Sequence, residues 1–186
     1  MYKEKLTKDF NITTIFFLRE ARKVSDIRTE IYHNYKAMIY NYFYRSTLDY
    51  HITEDLTQDT FLKAFKYFTS FRGESSMKTW LFIIARNILI THIKNKPSPS
   101  EVIFSQDVSD KGNQYSSLDE KLLIKKVLEK LSEEERSLIV LRDVNDLTYI
   151  EIAKIMKFTE GKVKIGLHRA RKKFKEHYIK ECEGEV

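Results

Sequence analysis

A chain of 186 residues, 42% hydrophobic and 13% aromatic, can bury the core of one domain or two small ones. Its five Gly and two Pro among long runs of good helix formers favour an all-helical fold over a disordered one. The formal net charge of +6 suits an anionic partner without choosing among nucleic acid, lipid and acidic protein. The single Cys182 allows no internal disulfide and no multi-thiol zinc site, and no apolar run approaches the roughly 18 residues of a membrane span, so a cytoplasmic protein is expected.

Residues 1–26 form an N-terminal extension in which Ile12, Ile15 and Phe16 have the spacing of a short amphipathic helix. A stronger helix follows from Ile27 to Arg45. Ile31, Tyr35, Met38, Ile39 and Tyr42 recur on one of its faces, and Asp49 is placed to cap the next helix. The tyrosines Tyr32, Tyr35, Tyr40, Tyr42 and Tyr44 fit an amphipathic core layer better than a platform for stacked bases.

Glu54 to Lys94 holds two helices joined by a polar loop. On the first, Leu56, Phe61, Ala64, Phe65 and Phe68 gather on one side, while Glu54, Asp55, Gln58 and Asp59 fall on another. On the second, Leu81, Ile84, Ala85 and Ile88 form an inward stripe, and Asn87, Thr91 and Lys94 line up outward. Gly73 gives the loop freedom, Ser76 can cap the second helix, and Trp80 is an anchor in its first turn. One outer surface is acidic and the next basic, which suggests two different partners.

Both prolines and a cluster of serines mark residues 96–117 as a linker, long enough to separate two domains at 27–95 and 118–180, with a tail at 181–186. Beyond it, Ser117 with Glu120, Ser132 with Glu135 and Thr148 with Glu151 each match a capping box, predicting three helix starts. Ile124, Val127, Leu128 and Leu131, then Leu138 and Leu141, then Tyr149, Ile152, Ala153 and Met156 supply the apolar stripes. A fourth helix starts near Thr159 with Val163, Leu167, Ala170 and Phe174 inside. Only Lys157 and Phe158 separate it from its predecessor, the layout of a helix-turn-helix.

From Lys162 to Lys175 that last helix carries Lys162, Lys164, Arg169, Arg171, Lys172, Lys173 and Lys175, with His168 and no acidic residue. A cation such as Lys162 in a first turn opposes the helix macrodipole by roughly 0.3–1 kcal/mol. A phosphate or base edge at that helix end would offset the cost.

The blocks Glu54–Phe61 (EDLTQDTF), Lys78–Asn87 (KTWLFIIARN), Leu131–Arg136 (LSEEER), Tyr149–Ala153 (YIEIA), Glu160–Lys164 (EGKVK) and Leu167–Arg171 (LHRAR) resemble the extracytoplasmic-function sigma factors of bacteria. The resemblance covers about Ile27 to Tyr178 in the family's order. It implies an all-α fold of two small helical domains, a region 2 bundle and a region 4 helix-turn-helix, joined by a flexible linker. It implies that Asp55, Gln58 and Asp59, with Leu56 and Phe61 beneath, bind the clamp helices of the largest subunit of core RNA polymerase. Arg72, Ser75, Lys78, Arg86, Asn87, Thr91 and Lys94 would then hold the promoter's −10 element. Thr159, Lys162, Lys164, Ile165, Arg169 and Lys173 would meet the −35 element. An anti-sigma factor is implied as a further partner. Departures from the family pattern stand at Lys157, which replaces a common glycine and is strained by about 1 kcal/mol if the turn is left-handed, and at Lys162, Ile165 and Gly166, where the family often has Thr, Ser and Arg; Gly166 in a helix interior also costs about 1 kcal/mol against Ala. Thr91 and the pair Lys94–Asn95 also differ, leaving base preference open.

Two other readings compete. A stand-alone helix-turn-helix regulator would have no use for the acidic face at Asp55, Gln58 and Asp59. A metalloenzyme built on Glu54, Asp55 and Asp59 would lack histidines at ligand spacing, and Gly73 has no phosphate-cradling loop around it. Neither cofactor nor small-molecule substrate is expected.

Overall fold

The computed structural model describes residues 12–95 and 118–183, with side chains from Asp26 and from Glu120 onward. The linker, the cap residue Ser117 and most of the N-terminal extension's side chains lie outside the described residues. Among those described, every regular element is helical: α1 (Ile12–Thr47), α2 (Tyr50–Lys66), a 3-10 turn (Phe68–Ser70), α3 (Met77–Asn95), α4 (Leu118–Glu129), α5 (Glu133–Ile139), a π turn (Val140–Val144), α6 (Tyr149–Met156) and α7 (Glu160–Glu183). The helical spacing at Ile12, Ile15 and Phe16 thus belongs to the same helix as the stripe from Ile27, not to a separate short one.

The chain divides into two compact units, Met1–Lys36 and Ala37–Val186. In the first, Lys36 Nζ lies 5.2 Å over the Tyr32 ring, which meets His33 edge-on. The second holds the end of α1 and all later helices. There α2 packs on α3, α4, α5 and α6 pack on α7, and α3 also packs on α6. The sequence-level domains therefore meet directly through α3 and α6, although the linker between them is long.

The helix ends follow the local chemistry of the sequence. Asp49 caps α2, its carboxylate accepting from Ile52 N at 3.0 Å. Ser76 caps α3, accepting from Thr79 N at 3.1 Å. Ser132 with Glu135 and Thr148 with Glu151 form complete capping boxes, each cap worth about 1 kcal/mol. The expected stripes are buried at Leu56, Phe61, Ala64, Leu81, Ala85, Ile88, Val127, Leu128, Leu131, Leu138, Leu141, Ile152, Met156, Val163, Leu167 and Ala170. Phe82 and Leu89 are buried too, so α3 is apolar over more of its surface than one stripe. It is sandwiched between α2 and α6.

The π turn after α5 has no counterpart in the sequence reading. The buried Asn145 stabilises it, donating from Nδ2 to Val140 O at 2.9 Å, and the left-handed Asp146 (φ 52°) reverses the chain. The second left-handed residue of this region is Lys157 (φ 55°, ψ 44°), so the condition under which the sequence expects strain in that turn is met. Ala153 O accepts from the amides of both Lys157 and Phe158, which closes α6.

Gly166 has a packing reason that the sequence did not reveal. A Cβ there would stand 2.8 Å from Leu138 Cδ1, and Leu138 is held fully inside the core between α5 and α7. Helix propensity alone makes Gly166→Ala stabilising by about 1 kcal/mol, whereas overpacking a filled core costs roughly 1–3 kcal/mol. The variant is expected to melt below the parent in a calorimetric scan. A rise in melting temperature would mean that Leu138 has room to move.

Candidate nucleic-acid interface

On α2 the helix period separates two roles. Asp55, Gln58 and Asp59 are exposed, while Leu56 and Phe61, 6% and 2% exposed, root the same segment in the core. The Phe61 ring packs on Phe65 with centroids 5.9 Å apart. The result is a rigid acidic face with an amide at its centre and the exposed Leu62 and Lys63 next to it in sequence.

The candidates on α3 and its preceding loop fall into two groups. Asn87, Thr91 and Lys94 line the exposed face as expected, with the Thr91 hydroxyl donating to Asn87 O at 2.9 Å. Arg72 is exposed on the loop beside Gly73 (φ 73°), and Ser75 is half-buried. Phe71 covers Trp80, their ring centroids 5.0 Å apart, which ties the loop to the start of α3.

Lys78 and Arg86 do not join the open face. Lys78 Nζ donates to Asn145 O beyond the π turn. Arg86 is only 6% exposed, its guanidinium paired with Glu133 at the start of α5 and donating to Ser137 Oγ at 3.2 Å. The sequence did hold a signal for this. Phe82, Arg86 and Leu89, at i, i+4 and i+7, share a buried face, so Arg86 belongs to the inward side of the helix.

The helix-turn-helix presents the third group. Thr159 caps α7, accepting from Lys162 N at 3.2 Å, and Lys164, Ile165 and Arg169 are exposed along the same helix. Tyr149, Lys164, Ile165, His168, Arg169 and Arg171 line an open hollow there. Ile165, 56% exposed, gives this cationic surface an apolar point, the kind of group that meets a thymine methyl in a major groove.

Lys162 is better accommodated than a lone cation against the macrodipole. Its Nζ sits 3.4 Å from the Phe158 ring centroid and 3.9 Å from Glu134 Oε1. Lys173 turns toward Glu135, 2.8 Å away, and Arg171 forks onto Asp143. Burial works to raise the Glu135 pKa, but the bonds from Lys173 and Ser132 prevail and hold it below the usual carboxylate range. Burial opposes ionisation of Glu151 as well, and hydrogen bonds from Thr148 and Thr79, with the Lys78 charge, again bring it down.

Comparison with known proteins agrees with this layout. Residues 31–97 match the family described as sigma-70 region 2, and residues 121–174 match sigma-70, region 4. The RNA polymerase sigma factor YlaC of Bacillus subtilis is 35% identical over 170 residues, spanning 88% of this chain and 98% of that protein. The ECF RNA polymerase sigma factor SigM of the same organism is 33% identical over 155 residues, 80% of this chain and 93% of that one. The sigma factor RpoE of Bartonella quintana, solved in complex with the anti-sigma factor NepR, superposes with a TM-score of 0.68 at 28% identity, covering 82% and 96% of the two chains. The fold and the two family matches define a two-region, promoter-directed transcription factor. The chain belongs to the extracytoplasmic-function (ECF) RNA polymerase sigma factors.

Two outcomes can be checked. Lys162→Ala is expected to weaken binding to −35 DNA and to reduce the slope of log affinity against log salt by about one phosphate's worth of counterion release. An unchanged slope would remove Lys162 from the contacts. Because the folded-state values of Glu135 and Glu151 are lowered, their stabilisation is complete above the unfolded glutamate value of about 4.3. It is lost as pH falls through the lower folded values. Glu151→Gln should therefore melt below the parent at neutral pH, with the two melting curves converging in acid.

Proposed function

We propose that this sigma factor directs core RNA polymerase to promoters through three surfaces on separate helices. The exposed acidic face of α2, with Asp55, Gln58 and Asp59 above Leu56 and Phe61, docks on the clamp helices of the polymerase's largest subunit. The loop at Arg72 and Ser75 and the open face of α3 with Asn87, Thr91 and Lys94 hold the −10 element and an unstacked base of its non-template strand. Lys78 and Arg86 add to that contact only when released from Asn145 O and Glu133. The recognition helix α7 puts Thr159, Lys162, Lys164, Ile165 and Arg169 against the −35 element, with Lys173 beside them.

The chain acts in the cytoplasm as an initiation factor without chemistry of its own, and an anti-sigma factor restrains it. The observation that carries this reading is the opposition of surfaces. An acidic, amide-bearing face on α2 repels DNA and suits a basic protein partner, whereas α3 and α7 expose amides and cations. A stand-alone repressor would need no such acidic face.

Purified chain added to bacterial core polymerase should yield transcripts from defined starts on genomic DNA, and failure on every template would end the reading. Charge reversal at Asp55 and Asp59 together is expected to abolish polymerase binding. Both side chains are exposed, so the melting temperature should move by no more than about a degree or two. A large loss of stability would show instead that the two carboxylates support the fold.

A further inference from the structure

The cations of α7 are not equally available to DNA. Lys162 is held by the Phe158 ring and Glu134, Arg171 by Asp143, and Lys173 by Glu135. Lys164 and Arg169 are exposed and carry no ion pair among the described residues. Between these two cations stands Ile165, and with His168 and Tyr149 they line the same open hollow.

The helix period places Ile165 at the centre of this surface. At about 3.6 residues per turn it lies almost opposite the buried stripe of Val163, Leu167 and Ala170, so its side chain leads away from the core. One turn earlier Gly161 presents no side chain, and a Cβ there would meet nothing within 4 Å. One turn later come the exposed His168 and Arg169. From Glu160 to Lys175, Ile165 is the only large apolar side chain that is exposed.

A lone exposed aliphatic group is ordinary on a protein surface. At the centre of a helix face that meets a major groove it has a definite chemical meaning. Isoleucine has neither donor nor acceptor, so it cannot read the hydrogen-bonding pattern of a base edge. The thymine C5 methyl is the one apolar group that base pairs present in that groove. Cytosine in the same place would turn its N4 amino group toward a branched hydrocarbon. No carboxylate lies between Lys162 and Lys175 to accept from it, and a buried donor without a partner is costly. A purine would bury its N7 acceptor against the same hydrocarbon with the same kind of loss.

We propose that Ile165 is a specificity residue of this sigma factor, selecting thymine within the −35 element by burying its C5 methyl, while Lys164 and Arg169 hold the duplex around it. The inference rests on the assignment of α7 to −35 DNA and adds a base choice to it. Burial of one methyl group in such a contact corresponds to about fourfold in affinity.

Genomic promoters from which the full chain and core polymerase initiate supply the −35 duplex for the test. Each of its thymines is replaced in turn by deoxyuridine, which removes the methyl and keeps the hydrogen-bonding edges. Binding of the assembled polymerase is then measured by competition. At one thymine the replacement should weaken binding by about fourfold. In Ile165→Ser that loss should vanish, because the hydroxyl has no use for the methyl. Lys164→Ala should weaken binding to the thymine and deoxyuridine duplexes alike, leaving the ratio between them unchanged. Ile165 and Lys164 are both exposed, so the variants should melt with the parent.

The base choice is overturned if no thymine is sensitive to loss of its methyl, or if the element contains none. It is equally overturned if the methyl effect survives in Ile165→Ser or disappears in Lys164→Ala. Promoters that share a −35 sequence but ignore the methyl would leave the assignment of α7 standing and remove Ile165 alone. Promoters that share no upstream sequence, bound as well by Arg169→Ala as by the parent, would remove α7 from −35 DNA altogether.

Discussion

The buried guanidinium of Arg86 sets a constraint that the rest of the larger unit must meet. Burial opposes its charge, and the Glu133 carboxylate and its hydrogen bond outweigh that opposition. The Ser137 proton is committed to Glu133, so Ser137 Oγ is an acceptor for both Arg86 and Tyr42. Burial raises the Tyr42 pKa, and the phenol therefore remains a neutral donor in this set. One charge thus fixes the register of α3 against α5 and against the end of α1. An apolar contact would tolerate sliding by a fraction of a turn, but a hydrogen-bonded ion pair does not.

A similar economy holds at the helix ends. The two capping-box glutamates use one oxygen locally and the other at long range. Glu151 Oε2 accepts from the Thr148 amide and hydroxyl, leaving Oε1 for Thr79 on α3. Glu135 Oε2 serves Ser132 in the same way, and Oε1 meets Lys173 on α7. Each box therefore starts a helix and aligns it with another. This also explains why both carboxylates are held ionised although partly buried.

Helix α7 shows where sequence and packing divide the decisions. The left-handed turn at Lys157 carries a cost of about 1 kcal/mol that a glycine would avoid. It is retained because the amides of Lys157 and Phe158 close α6 on Ala153 O and set the start of α7. Phe158 then lies under the Lys162 ammonium, so the residue that follows the strained position also shields a cation in the first turn of α7. Gly166 looked like a weakness in a helix interior, yet it is where α7 comes closest to Leu138.

By itself, the sequence determined the elements and their exposed chemistry. Asp49, Ser76, Ser132, Thr148 and Thr159 mark helix starts because capping depends on residues within one turn. Asp55, Gln58 and Asp59, or Asn87, Thr91 and Lys94, share faces because the helical period is fixed by the backbone. It equally determined the family, through two motif blocks in order. The helical period also puts Arg86 on the inward side of α3 with Phe82 and Leu89. Tertiary structure alone decided what Arg86 and Lys78 meet, through contacts with residues 47 to 67 positions away in the chain. No local period encodes such pairings. The π turn at Val140–Val144 and the approach of Gly166 to Leu138 belong to the same class, because each is fixed by what packs against it.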